Sequence, residues 1–141
     1  MISKIDHVGI AVASIDAALE LYRLLGLEVE AIEEVQSEGV RVALLPCGDS
    51  RIELLEPTRE SSPIARFLDR RGPGIHHLCL ATDAVEGDSD RLRAAGIQLL
   101  RERPTRGAGG CYVQFVHPRS AGGVLVELSE RRPPEAGPTS G

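Results

Sequence analysis

The chain has 141 residues, carries 21 acidic against 16 basic side chains for a formal charge of −5, and contains only 3% aromatic residues. A nucleic-acid surface would show clustered cations and stacking rings, so the composition argues against that class and for a small-molecule partner. No apolar run approaches the roughly 18 residues of a membrane span, and a domain of this length can bury about two thirds of its unfolded surface, enough to enclose a site.

In chain order, residues 4–12 alternate with period two: Val8, Ile10 and Val12 share one face, and Ile5, His7, Gly9 and Ala11 share the other. Ser14 can cap a helix running to Leu25, with Gly26 as its stop. Strands are predicted at Leu27–Val35, Val40–Leu45 and Arg51–Leu55, separated by turn-prone Ser37-Glu38-Gly39 and Gly48-Asp49-Ser50. Together these make one β-α-β-β-β unit. Ser62-Pro63 starts a short linking helix that ends near Gly72. A second unit follows, with a strand at Ile75–Ala81, a weakly patterned helix near Ala84–Ala95, and strands at Ile97–Leu100, Cys111–Val116 and Val124–Leu128. The expected organisation is one domain over 1–130: module one at about 4–57, linker at about 62–72, and module two at about 74–129. Residues 131–141, rich in Pro and Gly, are expected to be a disordered tail. Cys47, Cys79 and Cys111 are odd in number and lack CxxC spacing, which suits reduced thiols. With no signal-peptide pattern at the N-terminus, the expectation is a cytoplasmic protein.

The two units are copies. His77 stands 70 residues after His7 and Gly96 stands 70 after Gly26, while Glu127 stands 74 after Glu53, a drift that an extra turn around Gly107–Gly110 would explain. Each copy therefore puts a histidine on its first strand and a glutamate on its last. A carboxylate flanked by apolar strand residues is costly to bury without positive compensation. A divalent metal at the pseudo-twofold axis would compensate both, held by His7, Glu53, His77 and Glu127. Two imidazoles and two carboxylates suit Co, Mn, Ni, Fe or Zn without choosing among them. Such an ion can stabilise the enolate left when a proton departs beside a carbonyl. His76, by alternation, is expected on the opposite face from His77, as a structural or supporting residue.

The stretches Ile5-Asp6-His7-Val8-Gly9-Ile10-Ala11-Val12, Ile52-Glu53-Leu54-Leu55-Glu56-Pro57, Ser62-Pro63-Ile64-Ala65, Gly74-Ile75-His76-His77, and His117-Pro118-Arg119 with Gly122-Gly123-Val124-Leu125-Val126-Glu127-Leu128 resemble the vicinal oxygen chelate superfamily, and within it the epimerases of coenzyme A thioesters. The resemblance implies an α+β fold of the glyoxalase/bleomycin resistance type, a cupped mixed sheet of two paired β-α-β-β-β modules around a metal. It also implies metal ligation by those four residues, a coenzyme A thioester substrate and a homodimer. One departure matters: some epimerases of this kind place a catalytic glutamate at the position of Val42 and a glutamine at that of Glu53. Since Val42 cannot move a proton, Glu53 and Glu127 are the expected pair of bases, in the manner of glyoxalase I. Arg106 and Arg119 are loop candidates for the phosphates of the coenzyme. A glyoxalase-like lyase, an extradiol dioxygenase and a metal-free binding module are rival outcomes on the same fold.

Overall fold

Two copies of one unit lie edge to edge in a single eight-stranded curled sheet, which the computed structural model describes over residues 1–132. The first copy comprises β1 (Ile2–Ala11), α1 (Ile15–Leu24), β2 (Ala31–Val35), β3 (Val40–Cys47) and β4 (Ser50–Pro57). Helix α2 (Pro63–Arg71) leads to the second copy: β5 (Gly74–Thr82), α3 (Val85–Ala94), β6 (Thr105–Arg106), β7 (Cys111–Val116) and β8 (Val126–Arg131). The sheet order is β2-β3-β4-β1-β5-β8-β7-β6, so each half repeats the other from edge to centre. Parallel pairs β1·β4 and β5·β8 flank the central antiparallel pair β1·β5. The pseudo-twofold axis passes between β1 and β5.

Helices α1 and α3 both stop at glycines in the left-handed region, Gly26 at φ 89° and Gly96 at φ 82°, a conformation that costs glycine least. Ser14 caps α1 by accepting the Ala17 N–H. Apolar residues of α1, Ile15 and Leu19, pack with Val12, Ala43, Leu45 and Leu54 on one face of the sheet. On the other face Ala11, Val40, Val42 and Leu55 meet Ile64, Phe67 and Leu68 of α2, which closes one end of the cup. The second copy is more polar under its helix, where Thr82, Asp88 and Ser89 are buried and the Thr82 hydroxyl donates to Asp88.

Several details differ from the sequence-based expectations. Strand β2 begins at Ala31, and before it Glu30 N–H makes a single bond to the Leu44 carbonyl. The predicted strand Ile97–Leu100 is a lone bridge from Leu99 to Val116. Two ladder bonds remain, from the Leu100 N–H to the Phe115 carbonyl and from the His117 N–H to the Gln98 carbonyl, but side chains take the next ones: the Phe115 N–H goes to the amide oxygen of fully buried Gln114 and the Gln98 N–H to the Ser120 hydroxyl. The drift between copies is also placed differently. Leu44 faces Glu53 and Phe115 faces Glu127, so the offset is 71 for β3 and β7 but 74 for β4 and β8; most of the added length lies in the connection from His117 to Leu125, not in the Gly107–Gly110 turn. Finally, β8 runs through Arg131, one residue past the expected domain end, and residues 133–141 of the expected tail lie outside the described residues. Among the described residues no helix is long and apolar enough to cross a membrane.

Candidate metal centre

The central pairing of β1 with β5 sets Gly9 opposite His77 and His7 opposite Cys79. Gly9 lacks a side chain where one is impossible: a Cβ there would fall 2.3 Å from His77 Cε1. The His77 ring lies across this gap and its Nε2 comes 3.0 Å from His7 Nε2, the rings edge to face. Two imidazole nitrogens about 3 Å apart have the separation of neighbouring ligands on one ion at bond lengths near 2.1 Å. Strand β8 adds Glu127 beside Cys79, with Oε1 3.4 Å from His77 Nε2 and 3.8 Å from His7 Nε2. His7, His77 and Glu127 thus present three donor atoms within 4.8 Å of one another, and this set fits a divalent ion. Asp6, His7 and Cys79 form a second such group, but Asp6 is engaged by Arg51 and His7, and Cys79 is fully buried.

Glu53 is not in either group. It approaches His7 from the other side of the ring, Oε2 standing 3.3 Å from Nδ1. There it accepts bonds from Arg51, at 3.0 Å from Nη2 and 3.3 Å from Nε. The same Arg51 Nη2 donates to Asp6 Oδ2 at 3.0 Å, and Asp6 Oδ2 is 2.8 Å from His7 Nδ1. This carboxylate on Nδ1 fixes the ring with Nε2 toward His77, the usual arrangement behind a ligating histidine. His76 departs from alternation. The register passes from Gly9↔His77 to Ile10↔Ile75, a bulge that leaves His76 unpaired and brings its Nδ1 to 2.9 Å from His77 Nδ1. It supports the neighbouring ring rather than facing away, and its other side meets Phe67 edge-on.

Charges follow from this packing. Burial works against the charged form of His7, but the bond to Asp6 and the charges of Glu53 and Glu127 outweigh it and hold its pKa above the ordinary value. His77 is pushed down to about 3 by burial and by the nearby His7 and His76 charges. Glu127 is pushed up to about 7, chiefly by burial, against the opposing pull of His7. Burial also raises the Cys79 thiol, which stays protonated. Asp6 is held below the usual carboxylate range by its bond to His7, with help from Arg51.

His76, His77 and Glu127 open into a cavity of about 380 Å³, walled by Val40, Leu55, Ile64, Val113 and Phe115. Arg106 lines it, together with Arg101, which was not among the sequence candidates. Arg119 is exposed on the turn Pro118–Ser120, outside that lining. Val42 lies buried directly opposite Leu55 and near Glu53, with nothing to move a proton. Asp6 and Arg51 were also missed as site residues, although Arg51, two places before Glu53 on one strand, had to share its face.

The chain belongs to the glyoxalase/bleomycin resistance protein/dioxygenase superfamily, whose family model matches residues 6–115. That superfamily is the metal-dependent vicinal oxygen chelate group, and the fold described above is its fold. The chain's relatives there include several methylmalonyl-CoA epimerases. The ethylmalonyl-CoA/methylmalonyl-CoA epimerase of Cereibacter sphaeroides is 41% identical over 133 residues, 92% of this chain and 99% of that one. The structure of methylmalonyl-CoA epimerase from Mycobacterium tuberculosis has a TM-score of 0.87 at 43% identity, covering 94% of this chain and 90% of that one. A variant of the Streptomyces coelicolor epimerase in complex with 2-nitronate-propionyl-CoA has a TM-score of 0.86 at 38% identity, covering 94% and 100%.

Proposed function

We propose that this chain interconverts the (R) and (S) forms of methylmalonyl-CoA, moving a proton off and back onto the carbon between the carboxylate and the thioester. Several relatives carry that activity in their names, and the observation that carries it to this chain is the placement of two carboxylates on either side of the paired histidines: Glu127 at the Nε2 side and Glu53 at the Nδ1 side of His7. Inversion needs one group to remove a proton and another to return it on the opposite face. Glu53 and Glu127 are the two groups the symmetry supplies, the Val42 position offering none. His7, His77 and Glu127 would hold the metal in this reading, while Glu53, the fourth ligand that the resemblance implies, is engaged by Arg51. The ion, one of Co, Mn, Ni, Fe or Zn, supplies Lewis acidity for the negative charge that develops on the thioester oxygen.

His7 and His77 orient that centre, and the apolar walls of Val40, Leu55, Val113 and Phe115 exclude water from the acyl group. Arg106 and Arg101 at the rim bind coenzyme phosphates, and Arg119 serves the distal nucleotide. A cytoplasmic homodimer completes the proposal: Leu21, Leu24 and Leu25 are exposed together at the end of α1 and offer an apolar contact surface, and the free thiols of Cys47, Cys79 and Cys111 suit a reducing compartment. The deciding experiment follows deuterium uptake and loss of optical purity in methylmalonyl-CoA incubated in deuterated water with metal-loaded protein. Both should occur and both should vanish on chelation; a metal-loaded protein that exchanges no proton would overturn the assignment.

A further inference from the structure

The two glutamates are equivalent by symmetry, but their surroundings are not. Glu127 reaches the Nε2 atoms of both histidines, whereas Glu53 stands on the Nδ1 side of His7 and gives its Oε2 to Arg51. The cause is local to the first copy. Two places before Glu53 stands Arg51, and two places before Glu127 stands Leu125; one place before His7 stands Asp6, and one place before His77 stands His76. The second copy therefore has no cation to engage its glutamate and no carboxylate to anchor such a cation.

From this asymmetry we propose that Arg51 is a positioning residue that holds Glu53 off the metal and keeps it available as a proton-moving carboxylate. The inference rests on the epimerase reading for the role of the freed carboxylate, but not for the geometry. Arg51 is partly buried and bridges two carboxylates with one planar fork, 3.0 Å to Asp6 and 3.0 Å to Glu53. A guanidinium bonded to one carboxylate oxygen by two of its nitrogens opposes that oxygen's turning toward a metal. Asp6 fixes the guanidinium in turn and is itself fixed by His7, so the clamp is tied to the ring that would carry the ion. A glutamate left free at this position would be a resident ligand, with its lone pairs committed to the ion. Arg51 thus distinguishes two carboxylates that symmetry alone would make identical, leaving Glu127 as a base that also holds the ion and Glu53 as a base that does not.

The test titrates metal-free protein with Co²⁺ and reads affinity and the visible absorption of the bound ion, which reports coordination. Arg51→Met keeps length and packing while removing the fork. It should bind Co²⁺ about tenfold tighter, at the low end of what outer partners do to metal affinity, with an altered absorption envelope, and should epimerise at least tenfold more slowly. Arg51→Lys, which cannot make the fork, should fall between. Removing a positive charge would itself tighten binding, so the control is Arg51→Met in a Glu53→Gln background: there the altered spectrum and most of the gain should disappear. Unchanged or weaker Co²⁺ binding in folded Arg51→Met, or a gain that survives unchanged in the Glu53→Gln background, overturns the inference. If wild-type protein shows no epimerisation yet Arg51→Met tightens Co²⁺ through Glu53, the clamp stands and only the assigned reaction fails.

Discussion

At the scale of single residues the centre depends on one absent atom. Gly9 must be glycine because the His77 ring occupies the space of a Cβ, with three ring atoms at 2.3–2.7 Å from where it would sit. Its φ is not in the left-handed region, so the demand is space rather than backbone freedom. Gly9→Ala should therefore push His77 aside and reduce metal affinity by about 10- to 100-fold, while leaving the circular dichroism of the sheet intact; a variant that keeps its full affinity would show that the ring can shift without loss. Charge makes a second residue-scale prediction. Metal ligands must shed protons, and Glu127, pushed up to about 7, still holds one through most of the acidic range, as does His7, whose pKa is raised. His77, pushed down to about 3, has none to lose near neutrality. Metal affinity should thus fall as pH falls through about 7 and level off above it. Calorimetry at pH 6 in buffers of different ionisation heat should show proton release on metal uptake, and Glu127→Gln should remove about one of those protons. Equal release in both proteins would assign the proton elsewhere.

Among the elements, α2 closes one end of the cup through Ile64 and Phe67, the latter against His76. Its start was legible because Ser62-Pro63 combines a capping hydroxyl with a proline at the first helical position, and the structure has Ser62 fully buried and accepting the Ile64 N–H at 3.1 Å. Ser62→Ala should lower stability by about 1 kcal/mol, seen as a lower thermal midpoint of the metal-free protein; no shift would mean that water replaces the cap. Other elements show where a one-dimensional pattern fails. Residues 97–100 have strand composition, but the Gln114 amide and the Ser120 hydroxyl take the N–H groups that would extend the ladder beyond one bridge, and no periodicity signals side chains doing so. Likewise strict alternation sends His76 outward, and a single bulge in β5 returns it to His77. A bulge shifts every inference beyond it by one residue without leaving a mark in composition.

For the whole molecule, duplication made most of the fold readable. Once His7 and His77, and Glu53 and Glu127, are recognised as equivalent, an axis between β1 and β5 and four converging side chains are expected, and the donor atoms of His7, His77 and Glu127 lie within 4.8 Å of one another. The part that stayed hidden is the break in symmetry, because equivalence of positions says nothing about the neighbours Arg51 and Leu125. That break does not remove the mirror relation of the two faces. Glu53 and Glu127 come to the pair of histidines from strands related by the axis, β4 beside β1 and β8 beside β5, and on the two-base reading proposed above each would serve one face of the carbon. Glutamine keeps the shape of either side chain, and at Glu127 an oxygen for the metal, but loses the base. Glu53→Gln should still exchange the proton of one stereoisomer for deuterium while largely failing to invert it, and Glu127→Gln should show the opposite preference. Each loss of inversion should be about 10²- to 10⁴-fold, the range of a positioned acid or base. The measurement is isomer-resolved exchange in deuterated water with metal content held equal. If both variants prefer the same isomer, one glutamate does all the proton transfer at one face and the other face is served by a different group. If Glu53→Gln inverts at near the wild-type rate, Glu53 is a spectator beside Arg51 and the second base lies outside the symmetric pair.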